Sequence, residues 1–537
     1  MKLSVINRRW LVIAISTAAF GMASMAKSQE TVLPDLGSSA GVLITPTQEA
    51  EYGAYTLYQM RNYGLILDDP LIDTWLQGMG YRLGAASDNP KQPYTFFMVR
   101  NRQINAFATL GGYIGINAGL VLTANTEDEV AGVLSHEISH VTQKHMVRSV
   151  ERAKKDQLPI LLATLGMIVA AQAAGGKSAD DATAAAAIGS QALMIQRQID
   201  YTRSNESEAD RIGIMTLYRA GYQPAALGDF FSRMESSTRG NSGGYSTPDY
   251  LRTHPVTADR ISEARDRAQR LSSQPKPSNA KETESTNPLI PDFAKAPSNA
   301  GKLAPVGQDF PWAKERLRVL SAASPGSAVT EYKRGIDGFE TPLTDAQKYG
   351  LALAYIGTRS GMQAEIQLNA IAKDYPNNLW IGLAKAEAAQ FLTPPLLAQT
   401  RYEQLMAQFP ANRAIILSYS GYLLEQNNPV MAVKALEILR QLATDNANDI
   451  IYQRTLARAY DLSGNENRAI ESYAEVSYLN GMIDDAITQL SSLLKKDDLD
   501  FYQRARVETR IEELTPISLE LKRQGIKAER QGPSRSS

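Results

Sequence analysis

The stretch VLSHEISHVT, residues 133 to 142, constrains this chain more than any other of its length. Val130, Val133, Leu134, Ile138 and Val141 recur at helical spacing. Thr126 with Glu129 three residues later forms a capping box ahead of them. Together they predict a helix from about Glu127 to Met146. His136 and His140 stand four residues apart on it, so both imidazoles project from one face and can reach one tetrahedral ion. Glu137 is one step round from His136. It is placed beside such an ion without being a ligand, where it can take a proton from metal-bound water and pass it on. The chain has four histidines in all, so a chance pairing is a poor account of this pattern. It has no cysteine, so any transition-metal site must draw on His, Asp or Glu.

Two histidines need a third ligand. His145 lies nine residues past His136, two and a half helical turns, which turns it to the opposite face as a surface or packing residue. Glu206, in the segment NESEADRIG, is the better candidate. Glu206 and Asp210 share one face of a second predicted helix with Ala209 and Gly213. Small residues there let the two helices press together. Glu206 would complete a His-His-Glu site for one Zn2+ per chain, with one position open to water. Asp210 would hold a histidine N–H or assist proton transfer. Glu208 points elsewhere and reads as solvated. His254, before Pro255, is in extended or loop conformation. It is either a plain loop histidine or a switch that takes the fourth metal position. Gly111 to Asn117 alternates like a strand, either an ordinary core strand or one that pairs with an extended substrate.

The rest of the chain divides around this unit. Lys2, Arg8 and Arg9 precede an apolar run from Trp10 to Ala23 and small-x-small cleavage patterns at Ser24–Ala26 and Ala26–Ser28. That is a secretory signal peptide over 1–26, with an uncleaved anchor helix as the rival. Residues 27–270 mix helix and strand signals. Residues 271–310 are rich in Pro, Ser, Asn and Lys and read as a flexible linker. Residues 311–525 are helical almost throughout. Tyr375-Pro376 and Phe409-Pro410 recur 34 residues apart, and Tyr460, Gly464, Ala469 and Tyr473 fall at the spacing of a tetratricopeptide helix pair. Ala432, Ala469 and Ala486 are small residues where paired helices cross. The readings are a repeat solenoid or a non-repeating bundle. Residues 526–537 form a basic, structureless tail, and 160–193 an apolar, Ala-rich stretch that reads as a helical hairpin beside the site. Acidic and basic residues nearly cancel, 57 against 56, which speaks against nucleic acid as a partner.

HEISH followed by NESEAD resembles the gluzincin metallopeptidases that include HtpX and the CAAX prenyl proteases. The order of parts, signal peptide then HExxH domain then tetratricopeptide repeats, is similar to the beta-barrel assembly-enhancing proteases. The segments LPDLGSSAG, INAFATLGG, HEISHVTQKH, NESEADRIG and THPVTADRI carry the likeness, over nearly the whole chain. The resemblance implies an α+β zincin-like metallopeptidase domain followed by an all-α tetratricopeptide-like solenoid. It implies metal ligation by His136, His140 and Glu206, Glu137 as the base, and Asp210 as a candidate proton donor. It also implies a soluble periplasmic zinc endopeptidase with chaperone activity in outer-membrane protein quality control. Its substrates would be misfolded or stalled barrel proteins, the assembly machinery would bind the repeats, and a peripheral place at the outer membrane is compatible with it. The alternative is a repeat-based chaperone or adaptor with latent proteolysis. The linker looks like an insertion relative to the family and leaves the relative placement of the two halves open.

Overall fold

The computed structural model describes residues 44–149, 151–152, 201–239, 249–273, 305–335, 342–394, 396–443 and 448–523. The expected signal peptide, the 160–193 hairpin, most of the 271–310 linker and the basic tail lie outside the described residues. Among the described residues no helix is long and apolar enough to cross a membrane.

The first half opens with helices α1 (Pro46–Asn62) and α2 (Pro70–Ala86). Each has proline in its first turn and a capping side chain before it. Thr45 accepts the Gln48 N–H and Asp69 accepts the Ile72 N–H. Strands β1 (Thr95–Val99), β2 (Ala106–Ala108) and β3 (Tyr113–Asn117) follow and form one sheet in the order β1-β3-β2. β3 runs parallel to β1, from Thr95 opposite Tyr113 to Val99 opposite Asn117, and antiparallel to β2. This decides between the two readings of that segment. The strand within Gly111–Asn117 is central, with both edges already hydrogen-bonded, so it cannot receive a substrate strand. The outer strands are β1, which pairs at its end with Ile66, and β2.

Helix α3 (Ala118–Thr123) leads to α4 (Glu127–Thr142), the helix that carries His136 and His140. Its apolar stripe, Val130, Val133, Leu134 and Ile138, is fully buried. Thr126 caps it by accepting the Glu129 N–H, but the return bond differs from a standard capping box. Glu129 Oε2 accepts the N–H of Asn125 at 2.7 Å instead. The helix also ends earlier than its pattern predicts. It stops at Thr142, Lys144 turns to φ 53°, and helix resumes over 145–149. Helix α5 spans 201–219. Gly213 on α5 lies so close to α4 that a Cβ there would sit 3.1 Å from the backbone nitrogen of His136. The small residue does bring the two helices together. Helices α6 (Ala226–Arg239), α7 (Asp249–Thr253) and α8 (Ala258–Ser272) complete this half.

The second half is helical throughout its described length. Helices α9 (Phe310–Leu320) and α10 (Pro325–Lys333) precede five helix pairs. These are α11 (Asp345–Gly357) with α12 (Gly361–Ala372), α13 (Leu379–Ala389) with α14 (Leu396–Gln408), and α15 (Arg413–Glu425) with α16 (Pro429–Leu439). Then come α17 (Ile450–Leu462) with α18 (Glu466–Leu479), and α19 (Ile483–Leu493) with α20 (Phe501–Arg523). Each packs chiefly on its sequence neighbours, as a solenoid does. Ala432, Ala469 and Ala486 are buried at these crossings. Gly464 and Gly481 supply the left-handed turns between successive helices, at φ 82° and 75°. The architecture is an α+β metallopeptidase domain with a small sheet, followed by an all-helical repeat half.

The two halves share one hydrophobic core that runs from Leu67 to Ala459. Their seam is also polar. Arg316 on α9 is buried, with Nε and Nη2 2.8–3.0 Å from the Asp69 carboxylate and Nη2 3.4 Å from Glu387. Arg413 bonds Asp449 at 2.6 Å and reaches the Pro70 carbonyl at 3.3 Å. Lys314 donates to the Ala124 carbonyl at 2.6 Å, just before α4 begins. These contacts fix the placement that the linker left open.

Candidate metal centre

Four donor groups converge where α4, α5 and the residue after α7 meet: His136, His140, Glu206 and His254 offer ligand atoms within 4.8 Å of one another. The Nε2 atoms of His136 and His140 are 2.9 Å apart. Each lies 3.4 Å from a Glu206 oxygen. His254 Nδ1 is 3.4 Å from His136 Nε2 and 3.1 Å from Glu206 Oε1. In a tetrahedron with bonds of about 2.0–2.1 Å, neighbouring ligands sit roughly 3.3 Å apart. The nitrogens and the carboxylate therefore fit one small divalent cation. Imidazole and carboxylate are also the donor chemistry such an ion takes in a chain without thiols.

The electrostatics agree. Burial disfavours charge on His136, but Asp210 and Glu206 outweigh it and push its pKa up to about 10. Burial, then the neighbouring His136, holds His140 well below its ordinary value. Burial would raise Glu206, yet the bonds from His136 and His254 hold it far below the usual carboxylate range. The negative charge of Asp210 and Glu206 that raises His136 would equally favour a divalent cation at its Nε2.

Behind these groups sit residues that orient them. Asp210 Oδ1 lies 2.9 Å from His136 Nδ1. Its carboxylate also takes two bonds from Arg260, at 2.7 and 2.8 Å. Asp210 therefore sits behind the His136 ring, with both of its oxygens engaged by Arg260. His145 departs from expectation too. Because the chain turns at Lys144, His145 comes back under His140 instead of facing away, and is buried. Glu208 is not simply solvated, since its Oε2 meets His145 Nε2 at 3.0 Å and Arg148 Nη1 at 3.1 Å.

Glu137 is buried, and its Oε1 has no hydrogen-bond partner among the described residues. That oxygen is 3.7 Å from His254 Nε2, at the margin of the donor cluster. An unsatisfied buried carboxylate oxygen is costly. Its position suits a group that exchanges protons with a water at the centre. Two further residues escaped the sequence reading. Tyr250 stacks on the His254 ring, with centroids 4.8 Å apart at 24°. Its spacing of four from His254 was the available signal. Arg260 ties Asp210, Glu206 at 2.9 Å and the Pro255 carbonyl at 2.8 Å into one cluster, and the segment THPVTADRI that contains it was the available signal. Tyr250 N–H also donates to the Ile104 carbonyl, two residues before β2, at 3.3 Å. One short segment thus carries the fourth donor of the cluster and is tied to the loop that precedes β2.

A helix bearing HExxH, joined by a glutamate from a second helix and a small sheet beside them, defines a metallopeptidase. Residues 70–268 match the model of Peptidase family M48. The chain is 33% identical over 509 residues to a "Putative beta-barrel assembly-enhancing protease" of Vibrio cholerae, covering 94% of this chain and 96% of that one. It is 30% identical over 512 residues to the "Beta-barrel assembly-enhancing protease" of Escherichia coli strain K12, with the same coverage of each. It is 27% identical over 195 residues to the "Mitochondrial metalloendopeptidase OMA1" of Saccharomyces cerevisiae, covering 36% of this chain and 49% of that one. The chain belongs to the beta-barrel assembly-enhancing protease family of M48 metallopeptidases.

Proposed function

We propose that this protein is a zinc-dependent endopeptidase of the periplasm that acts on outer-membrane barrel proteins during their assembly. The observation that carries the metal chemistry is the convergence of His136, His140 and Glu206 at tetrahedral spacing, with the unpartnered Glu137 oxygen beside them. The barrel-assembly setting is supported by the names of the relatives that align over almost the whole chain. The periplasmic setting is supported by the charged, apolar and small-residue succession at residues 1–28. The repeat half is a docking module for the client or for the assembly machinery.

Zinc bound there would act as a Lewis acid and make water acidic enough to attack a peptide carbonyl near neutral pH. The chain's own residues do the rest. His136, His140 and Glu206 hold the ion. Glu137 accepts the proton of the attacking water at its free oxygen and returns it to the departing amine. Asp210, fixed by Arg260, keeps the His136 ring turned with Nε2 inward. The β2 edge, Ala106–Ala108, offers main-chain pairing to an extended substrate with little demand on its side chains.

A second reading is favoured by a specific observation. His254 stands at the fourth corner and leaves the cluster with four protein donors. In this arrangement the peptidase is latent and the repeats act as a chaperone or adaptor. Moving His254 away frees the fourth corner. Two measurements test the proposal. Purified protein is expected to hold one zinc per chain, and His136→Ala to hold none. A wild type without zinc overturns the metal assignment. His254→Ala is expected to cleave casein faster than wild type, and equal rates would remove the switch. Glu137→Gln then separates the readings. Loss of cleavage with barrel assembly intact makes the repeats sufficient.

A further inference from the structure

The helix break at Lys144 places His145 where its side chain lies against His140, and the contacts beyond it set a direction. His145 Nδ1 is 2.8 Å from His140 Nδ1, and His145 Nε2 is 3.0 Å from Glu208 Oε2. Arg148 Nη1 lies 3.1 Å from the same Glu208 oxygen and keeps that carboxylate charged. A carboxylate can only accept, so His145 carries its proton on Nε2. Its Nδ1 is then an acceptor, and His140 must donate from Nδ1. A neutral His140 with its proton there presents the Nε2 lone pair to His136 Nε2 and Glu206. The far end of the chain of bonds thus determines which nitrogen of His140 faces the metal point.

We infer that His145 and Glu208 are positioning residues that fix the tautomer and ring orientation of His140 for metal binding, the counterpart of Asp210 behind His136. Helix α5 supplies Glu206 to the cluster, Asp210 behind one histidine and, through His145, Glu208 behind the other. His145 is 3% exposed, so bulk water does not replace these bonds when one is lost. The backbone makes this possible: a continuous helix to Met146 would carry His145 to the far side, and the positive φ of Lys144 restores it.

The inference rests on the metal reading above, and the experiment keeps the two apart. Apoprotein is titrated with Zn2+ against a chromogenic chelator for wild type, His145→Ala, His145→Asn and Glu208→Ala, with apoprotein melting recorded for each. Loss of such an outer partner typically weakens metal binding about 10–100-fold. That loss is expected for His145→Ala, with a smaller loss for Glu208→Ala. His145→Asn keeps an acceptor oxygen near the Nδ1 position and is expected within about threefold of wild type. Rescue by asparagine is what a mere packing role would not give. Wild-type affinity in both alanine variants overturns the inference while leaving the metal site standing. So does equal weakening by Ala and Asn. If His145→Ala melts early, Glu208→Ala, which keeps the buried ring, decides. A wild type that takes up no Zn2+ removes the metal reading and the inference with it.

Discussion

The metal centre and the repeat half use the same material, helices packed on helices, to opposite ends. At the centre, three segments far apart in sequence place six charged or titratable groups around one point, and every ring nitrogen has an assigned neighbour. In the repeat half, apolar residues are spread over successive helix pairs and each pair leans mainly on the next. Function at the centre is therefore concentrated in single atoms. In the repeats it is distributed over surface and shape. The two regimes should differ in what a substitution does: at the centre chemistry is expected to go while the fold persists, and in the repeats stability is expected to fall step by step.

The sharpest probe of that contrast is Glu137→Gln. It keeps the shape of a side chain that is only 1% exposed and removes one proton acceptor. Peptide cleavage is expected to fall about 10²- to 10⁴-fold, the usual contribution of a positioned base. Zinc content and melting temperature are expected to stay at wild-type values. Residual cleavage at the wild-type rate would move the base elsewhere and end the contrast. The next largest effect belongs to the seam. Arg316→Ala leaves Asp69 and Glu387 buried without their partner. Breaking such a pair destabilises by about 3–5 kcal/mol. Denaturant unfolding should show this as a single weakened transition. Two separate transitions would mean that the halves are less joined than their common core implies.

What the sequence could disclose followed from range. His136, Glu137 and His140 sit within one helical turn and a half, so a local period placed them together. Glu206 and Asp210 were legible because Ala209 and Gly213 share their face, and Gly213 does touch the His136 backbone. The readings that failed depended on one backbone angle or on tertiary order. Nothing in Gln143-Lys144-His145 announces a positive φ, so His145 was assigned to the wrong face. For β3 the choice between a core strand and an available one stayed open, because alternation reports two faces, not whether the edges are taken. Arg260 and Arg316 each bridge elements that no periodicity connects. The repeat half was readable as helix pairs from its small and aromatic positions. Its docking onto α2 was not, since that depends on Asp69 serving at once as a helix cap and as the partner of an arginine 247 residues away.

A core truncation in the last repeats tests the distributed side of the comparison. Leu490 on α19 is buried in a cluster that includes Val507 and Leu514 of α20 and excludes the peptidase half. Leu490→Ala is expected to destabilise by about 3 kcal/mol, from lost transfer energy and the cavity left behind. Because a solenoid couples mainly to neighbours, hydrogen exchange should rise over 466–523 and stay unchanged over 127–142. Zinc content should not change. A rise at α4 of equal size would show that the repeats and the centre open as one unit.

The smallest expected effect is a single half-buried ion pair, and its pH dependence separates it from packing. Arg401 meets the Glu365 carboxylate with two bonds, at 2.8 and 2.9 Å, and donates to the Lys385 carbonyl at 2.7 Å. Burial is the largest single influence on Glu365 and raises it, but the Arg401 bonds and charge, with Lys385 and Asn369, together outweigh it and hold it below its ordinary value. A carboxylate depressed in the folded state contributes stability above its unfolded pKa. That contribution fades as pH falls through the folded value. Arg401→Met removes the charge and keeps the stem. Partial exposure screens the pair, so the loss at pH 7 is expected to be about 1 kcal/mol or less. At pH 3 the carboxylate part of that loss should shrink, whereas the part from the Lys385 carbonyl stays. Urea unfolding of both proteins at the two pH values isolates the difference. An equal deficit at pH 7 and pH 3 would assign Arg401 to packing and carbonyl bonding alone. A deficit confined to pH 7 would make it one of the few single charges that the repeat half, unlike the metal centre, depends on.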